Sequence, residues 1–340
     1  MKDSYGELAP CNAPFNNMYF TVHGKVSPCW KLTDHCDQWS HERSIKDIWT
    51  GEKFKNYRDA LTQNIFMFRC KECEHDINNG SWPLAKAYEE YPLNDFYPSL
   101  IELELSNQCN LECVMCNGTL SSGIRKNRDK LPPLPQIYDE NFREQLQEFI
   151  PHLTELRFNG GEPFAQKIVL DICDDVARIN SNLKINIATN GTVYNKRVKH
   201  ILSNNNIHLN ISIDSLDETR YEQIRVNGSF KTLMHNFNIF KEYCSSNNRN
   251  LCIMVNPMRN NWFEMVEFGK FAVYHNVKLW YNTILYPKDL ALFNLPSDQL
   301  RNVYVTLKKQ KQSVTVPEST DHFVEYQLKN WLLDTLIHVD

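Results

Sequence analysis

The chain has 340 residues, with 37 Lys plus Arg against 41 Asp plus Glu, for a formal charge of −4. Its 42% hydrophobic and 23% charged residues are those of an ordinary globular protein, and its mild acidity argues against a broad nucleic-acid-binding surface. No apolar run approaches the roughly 18 residues of a membrane span, and no apolar stretch follows Met1 as a secretory signal requires. The cytoplasm is therefore the expected location, where cysteines serve more often as metal ligands or catalytic groups than in disulfides. The anomaly is then the 11 cysteines.

In chain order, residues 18–22 and 25–27 read as a hairpin turning at Gly24, which supplies the positive φ of a tight turn. A helical turn at 44–49 begins at the capping residue Ser44 and ends at Gly51. Residues 52–61 then place Phe54, Tyr57 and Leu61 on one helical face. Residues 1–90 thus form a small α+β unit with too little apolar material to be stable alone, and a metal site would supply the missing stabilisation. Residues 91–98, with Pro92 and Pro98, suit an extended linker.

From residue 99 the pattern alternates. Strands are expected at 100–105, 154–158, 183–189, 207–213, 251–255 and 277–285, and helices at 137–149, 168–179, 193–202, 232–243 and 263–274. Such alternation implies an α/β fold with a parallel sheet and right-handed crossovers. Six strand–helix units are too few for a closed eight-stranded barrel, leaving a partial barrel or a doubly wound sheet. Residues 117–136 read as a long loop of the lid or binding type. Residues 288–340 read as a helical C-terminal extension, with helices at 298–309 and 324–336. On the last strand, alternation lets only some of Trp280, Tyr281 and Asn282 face inward, and core packing is the favoured reading for them.

The cysteines fall in two groups. Cys109-Asn110-Leu111-Glu112-Cys113-Val114-Met115-Cys116 follows a strand directly and occupies its C-terminal end, the edge of an α/β sheet where ligands bind. Three thiolates in one loop can hold a four-iron cluster and leave one iron open, and soft thiolates select iron–sulfur clusters or zinc. This stretch resembles the C-x3-C-x2-C signature of the radical S-adenosylmethionine (SAM) superfamily. Further stretches match in order: Asn159-Gly160-Gly161-Glu162-Pro163, Thr189-Asn190-Gly191, Ser212-Ile213-Asp214 and Arg225 in Ile224-Arg225-Val226. The resemblance covers residues 99–287 and implies a partial (β/α)6 TIM-like barrel preceded by the small α+β domain. It implies cluster ligation by Cys109, Cys113 and Cys116. It implies SAM contacts by Gly160, Gly161, Glu162, Asn190, Ser212, Asp214, Arg225 and Met115, with Glu162 near the methionine amino group and Arg225 on the carboxylate. Met115 stands where many members carry an aromatic residue.

The first group holds Cys11, Cys29, Cys36, Cys70 and Cys73. Cys11 and Cys29 flank the hairpin and Cys70-Lys71-Glu72-Cys73 closes the unit, a set that fits one metal centre, with structural zinc a rival on spacing alone. Residues 20–29 and 44–54 resemble the twitch/SPASM auxiliary-cluster module. With no cysteine between Cys73 and Cys109, the resemblance implies the shorter twitch form and one auxiliary [4Fe–4S] cluster on Cys11, Cys29, Cys70 and Cys73. Cys36, beside His35 in a polar loop, reads as a bystander, the alternative being that it replaces one of these ligands. Cys173, Cys244 and Cys252 read as small buried or half-buried hydrophobes.

The resemblance implies a radical SAM enzyme that cleaves SAM to a 5′-deoxyadenosyl radical and abstracts a substrate hydrogen, assisted by the auxiliary cluster. The electron donor it implies is a flavodoxin or ferredoxin; no residue is singled out as the one that takes the substrate proton. Only ten residues precede Cys11, so no leader-peptide-binding domain is expected ahead of it, which favours oxidative modification of a small molecule. The alternatives are a peptide- or protein-modifying maturase and, outside catalysis, a zinc-binding interaction module.

Overall fold

The computed structural model describes residues 10–32, 37–78, 84–94 and 96–337. Helix α1 (Ala13–Asn16) leads into strands β1 (Asn17–Phe20), β2 (Lys25–Ser27) and β3 (Asp37–Gln38). Helices α2 (Ile45–Trp49), α3 (Glu52–Thr62) and α4 (Cys70–Asn78) precede β4 (Leu100–Leu103), and α5 (Ser122–Asn127) and α6 (Glu140–Phe149) precede β5 (Glu155–Phe158). Then follow α7 (Lys167–Ile179), β6 (Lys184–Thr189), α8 (Lys196–Asn204), β7 (Asn206–Ser212), α9 (Glu218–Ile224) and α10 (Phe230–Ser246). The chain ends with β8 (Leu251–Val255), α11 (Met265–His275), β9 (Lys278–Tyr281), α12 (Ser297–Lys311) and α13 (Glu318–Ile337). The class is α/β as expected, and β4–β9 fall at the six strands expected from residue 99 onward.

Two compact units divide the chain. The first comprises Met1–Cys109, Gly118–Ala188 and Asn195–Ile207. Within it the strand order is β3-β2-β1-β4-β5-β6. β1 and β2 form the expected hairpin, with Gly24 at φ +75°. β1 also pairs in parallel with β4, Asn17 opposite Leu100 and Phe20 opposite Leu103.

In parallel strands, partners in register point to the same side. The rows Met18–Ile101–Leu156–Ile185 and Phe20–Leu103–Phe158–Ile187 therefore make one apolar face. The rows Asn17–Leu100–Glu155–Lys184 and Tyr19–Glu102–Arg157–Asn186 make a polar one. On the apolar side the Phe142 ring of α6 meets Phe20 edge-on at 5.4 Å and Trp39 at 5.3 Å. Tyr138 packs with both and donates its hydroxyl to Thr21 O at 2.6 Å. Gln145 Oε1 accepts from Trp39 Nε1 at 3.1 Å and from the Ile45 amide at 3.0 Å. The hairpin is thus sealed by an aromatic cluster that it shares with α6.

The second unit comprises Asn110–Asn117, Thr189–Tyr194 and His208–Asp340. β7, β8 and β9 pair in parallel, with Leu209 opposite Leu251 and Val255 opposite Tyr281. Tyr281 stacks on Phe323 at 4.7 Å and donates to Met265 O at 2.6 Å, so it packs in the core as expected. Trp280 does not: one residue earlier, it points the other way and is 57% exposed.

Three further expectations are corrected. α5 interrupts the segment read as loop, capped by Ser121, whose Oγ accepts from the Ile124 amide at 3.3 Å. With six residues and one buried apolar side chain, Ile124, it carries no periodic signal. α9 is absent from the expected helices for the same reason, having only Tyr221 and Ile224 buried. The last strand ends at Tyr281 rather than at 285.

Asn16 is fully buried and its Nδ2 donates to Tyr88 O at 2.8 Å and to Tyr91 O at 3.1 Å. Asn16→Ala strands two buried carbonyls and is expected to cost about 1–3 kcal/mol, read as a lower urea midpoint for the chain. An unchanged midpoint would contradict the importance of this tie.

Candidate metal centres

Cys11 stands just ahead of α1, Cys29 follows β2, and Cys70 and Cys73 lie one turn apart on α4, which places them on one helix face. This helix buries no residue fully; Cys70 and the preceding Met67 pack half-buried against the cluster of Cys29, Leu32, Tyr57 and Tyr88, and the Cys70 amide donates to Met67 O at 2.9 Å. All four thiols line one pocket with about 430 Å³ of atom-free space, part of it open to solvent. Its walls are largely apolar and include Leu32, Leu61 and Tyr88.

Burial pushes the Cys11 thiol up to about 12; the Ala13 amide opposes the rise, and Cys70 and Cys73 add repulsion. Burial likewise raises Cys29, with Cys11 adding to it, and lifts Cys70 to about 11. Cys11, Cys29 and Cys70 therefore feel their neighbouring sulfurs in a site that disfavours their bare thiolates. A cationic iron–sulfur core would relieve both costs, so the donor set fits such a group. Among the described residues no three Cys, His, Asp or Glu side chains converge as ligands of a single ion do; the thiols surround a space instead. Cys36 lies outside the described residues. Cys173 and Cys244 are buried as expected, and Cys252 is half-buried beside Met254, with sulfurs 4.0 Å apart.

The first unit also holds Cys109 and the Gly160–Gly161 turn. Cys109 is half-buried and its amide donates to Ser122 Oγ at 3.4 Å. The turn has φ of +68° and +48°, values open to glycine. The Glu162 amide donates to Gln108 O at 2.8 Å, and Gln166 Nε2 reaches Ser106 O and Gly160 O at 3.2 and 3.3 Å. The turn is thereby tied to the segment that leads into Cys109. The Glu162 carboxylate is fully buried and accepts from the Phe164 amide at 3.1 Å, so it caps the turn that follows.

In the second unit, Cys113 is buried and Cys116 half-buried. The Glu112 and Val114 amides donate to Val226 O at 3.0 Å and Ile224 O at 2.9 Å. This backbone pairing sets Arg225 opposite Cys113, its Nη1 3.8 Å from the sulfur and its Nη2 2.7 Å from Asp214 Oδ2. Burial works against the Arg225 charge, but Asp214 and Cys113 hold its pKa above the usual arginine value. Its Nε is buried without a hydrogen-bond partner among the described residues, which leaves one N–H for a ligand. Asp214 is fully buried and also accepts from the Asn256 amide at 2.8 Å. Asn190 accepts from the Thr192 amide at 2.9 Å and donates to Asn110 Oδ1 at 2.9 Å, bracing the cysteine loop. Ser212, at the end of β7, and Met115 are half-buried.

Sequence reasoning missed the polar face of the first unit. Tyr88 donates its hydroxyl to Glu102 Oε1 at 3.0 Å. Tyr19 donates to Glu104, whose carboxyl burial raises against that bond while Glu102 adds repulsion. The one available signal was the alternation of Glu102 and Glu104 with apolar neighbours in Leu100-Ile101-Glu102-Leu103-Glu104-Leu105.

The radical SAM superfamily model matches residues 103–271, and the model of an iron–sulfur cluster-binding domain, SPASM, matches residues 11–74. The chain belongs to the radical SAM superfamily and carries a SPASM-type cluster domain ahead of the SAM domain. These two domains imply a SAM-binding [4Fe–4S] cluster and an auxiliary cluster. Among similar curated proteins, a GTP 3′,8-cyclase of Clostridium perfringens is 26% identical over 195 residues, 57% of this chain and 54% of the relative. A GTP 3′,8-cyclase of Synechocystis is 23% identical over 171 residues, 50% of each. The chain thus spans about half the length of the curated relatives it matches. Among solved structures, SuiB of Streptococcus suis bound to S-adenosylmethionine aligns with 15% identity and a TM-score of 0.47 over 78% of this chain and 60% of that one. Native anSMEcpe with bound AdoMet aligns with 18% identity and a TM-score of 0.46, over 62% of this chain and 60% of that one. Among the described residues no helix is long and apolar enough to cross a membrane.

A Cβ on Gly161 would lie 2.5 Å from Gln108 O, at a φ that side chains rarely adopt. Gly161→Ala must move the turn or the approach to Cys109, at a strain of about 1–3 kcal/mol. SAM affinity, measured by equilibrium binding, is expected to fall roughly tenfold; unaltered affinity would show that the turn does not shape the SAM site.

Proposed function

We propose that Cys109, Cys113 and Cys116 hold the [4Fe–4S] cluster that binds SAM at its open iron, and that Cys11, Cys29, Cys70 and Cys73 hold the auxiliary [4Fe–4S] cluster. Residues 1–90 are the auxiliary-cluster domain, 91–98 a linker, 99–287 the radical SAM core and 288–340 a helical extension. The observation that carries the reading is the one pocket that Cys11, Cys29, Cys70 and Cys73 line together, with burial disfavouring the thiolates of the first three. Thiols spread around a space suit a cluster, in which each sulfur binds its own iron, better than one zinc ion.

With both groups bound, the chemistry supplied is reductive cleavage of SAM and abstraction of a substrate hydrogen atom. The chain's own part is placement and charge. Arg225 offsets the thiolate charge at Cys113 and offers its Nε–H to an anionic group, which a SAM carboxylate suits. Gly160 and Gly161 allow close backbone approach and present carbonyls to an ammonium, beside the buried Glu162. Asn190 holds the cysteine loop, while Ser212, Asp214 and Met115 complete the SAM surroundings. The substrate is a small molecule, oxidised with help from the auxiliary cluster. Relatives named for a reaction of GTP support this class. The electron donor is a flavodoxin or ferredoxin.

Anaerobic reconstitution should give a brown protein with about eight irons per chain, whereas a colourless protein with stoichiometric zinc would overturn the reading. Cys113→Ala should abolish SAM cleavage. Cys70→Ala should leave uncoupled cleavage but lose product, and if both variants cleave SAM normally the cluster assignment is wrong. The substrate class is tested by deuterium transfer into 5′-deoxyadenosine from labelled candidates. Transfer from labelled nucleotides or amino-sugars supports a small molecule, and transfer from peptides alone sinks it.

A further inference from the structure

Resting on the reading of the four-cysteine pocket as the auxiliary-cluster site, we propose that Glu102, acting through Tyr88, is the buried charge that sets that cluster's reduction potential. Tyr88 belongs to both places at once. Tyr88 lines the pocket together with Cys11, Cys29, Cys70 and Cys73, and its hydroxyl donates to Glu102 Oε1 at 3.0 Å. Tyr88 and Glu102 are 2% and 5% exposed, so water does not screen this link.

The network behind Glu102 decides which carboxylate matters. Glu155 takes the short contacts of both cations, Arg157 Nε at 2.7 Å and Lys184 Nζ at 2.6 Å. It also accepts from the Tyr91 hydroxyl at 3.0 Å. Among the described residues Glu102 receives one cation contact, from Arg157 Nη1 at 3.4 Å, with neutral donors otherwise: Asn17 Nδ2 at 2.9 Å and Tyr88. Glu102 is therefore the less compensated of the two anions, and it is the one joined to the pocket. The cations of the pocket lining, Lys31 and Arg69, both pair with Glu72, at 3.4 and 2.9 Å, so Glu72 offsets part of their charge at the pocket.

Reduction adds one negative charge to a group in that pocket. A nearby anion in a low-dielectric interior opposes it, and cluster potentials respond to net charge and hydrogen bonding. Glu102 therefore holds the potential low, and the Tyr88 hydroxyl fixes its distance and spreads its charge.

The test uses the full-length, anaerobically reconstituted chain with Cys109, Cys113 and Cys116 all replaced by Ala, so that the auxiliary cluster alone gives an EPR signal during redox titration. Glu102→Gln should shift the midpoint upward. Glu102→Asp, which keeps the charge, should stay near the parent value. In the Tyr88→Phe background the upward shift produced by Glu102→Gln should shrink, because the two residues act as one unit. Equal midpoints for parent and Glu102→Gln, or full additivity with Tyr88→Phe, overturn the inference while leaving the cluster assignment intact. A parent chain that binds no cluster overturns both. If Glu102→Gln fails to retain its cluster, the comparison of Glu102→Asp with Tyr88→Phe decides: a midpoint unmoved in both overturns the proposal, and one moved only in Tyr88→Phe supports it.

Discussion

Burying carboxylates on one face of a parallel sheet is the constraint on which the first unit depends. The register places Glu102, Arg157 and Asn186 in one row and Glu155 and Lys184 in the next. An uncompensated charge in that position would cost far more than a hydrogen bond contributes, so each carboxylate must find cations or donors. The donors come from both directions: Arg157 and Lys184 from neighbouring strands, and Tyr88, Tyr91 and Asn17 from the segments that carry the first cysteine group. The charge network therefore also positions the cysteine pocket, because Tyr88 is part of its wall.

The same compensation marks the second unit. Arg225 is buried between Asp214 and Cys113, and the backbone pairing of residues 112–114 with 224–226 leaves it little freedom. A guanidinium beside a thiol favours thiolate, the form that binds iron. Chemistry assigned by resemblance to ligand contact is here partly used by the protein itself: Glu162 caps a turn, and Asp214 satisfies Arg225 and the Asn256 amide.

The strand–helix alternation was legible because each main element repeats its apolar residues at the period its geometry demands. β8 falls where the alternation of Leu251, Ile253 and Val255 places it, and α6 ends with Phe149, just before Pro151. The Gly160–Gly161 turn was legible because its positive φ favours glycine, and the cysteine motifs through their resemblance to the radical SAM and SPASM signatures. α4, α5 and α9 were not. They are short, and their positions rest on single contacts or on cysteines rather than on an apolar stripe. Trp280 escaped because alternation says that neighbours diverge but not which of them meets the core.

The sequence by itself determined the chemistry: which residue types recur at which spacing, the α/β alternation and the cysteine signature are all local in the chain. Only the tertiary structure decided the partners. That β1 joins β4 in parallel, that Tyr88 reaches Glu102 fourteen residues away and that Arg225 meets Cys113 across 112 residues are long-range pairings. No spacing rule encodes them, because they follow from register and from the need of each buried charge and polar atom to be satisfied by whichever group the fold brings near.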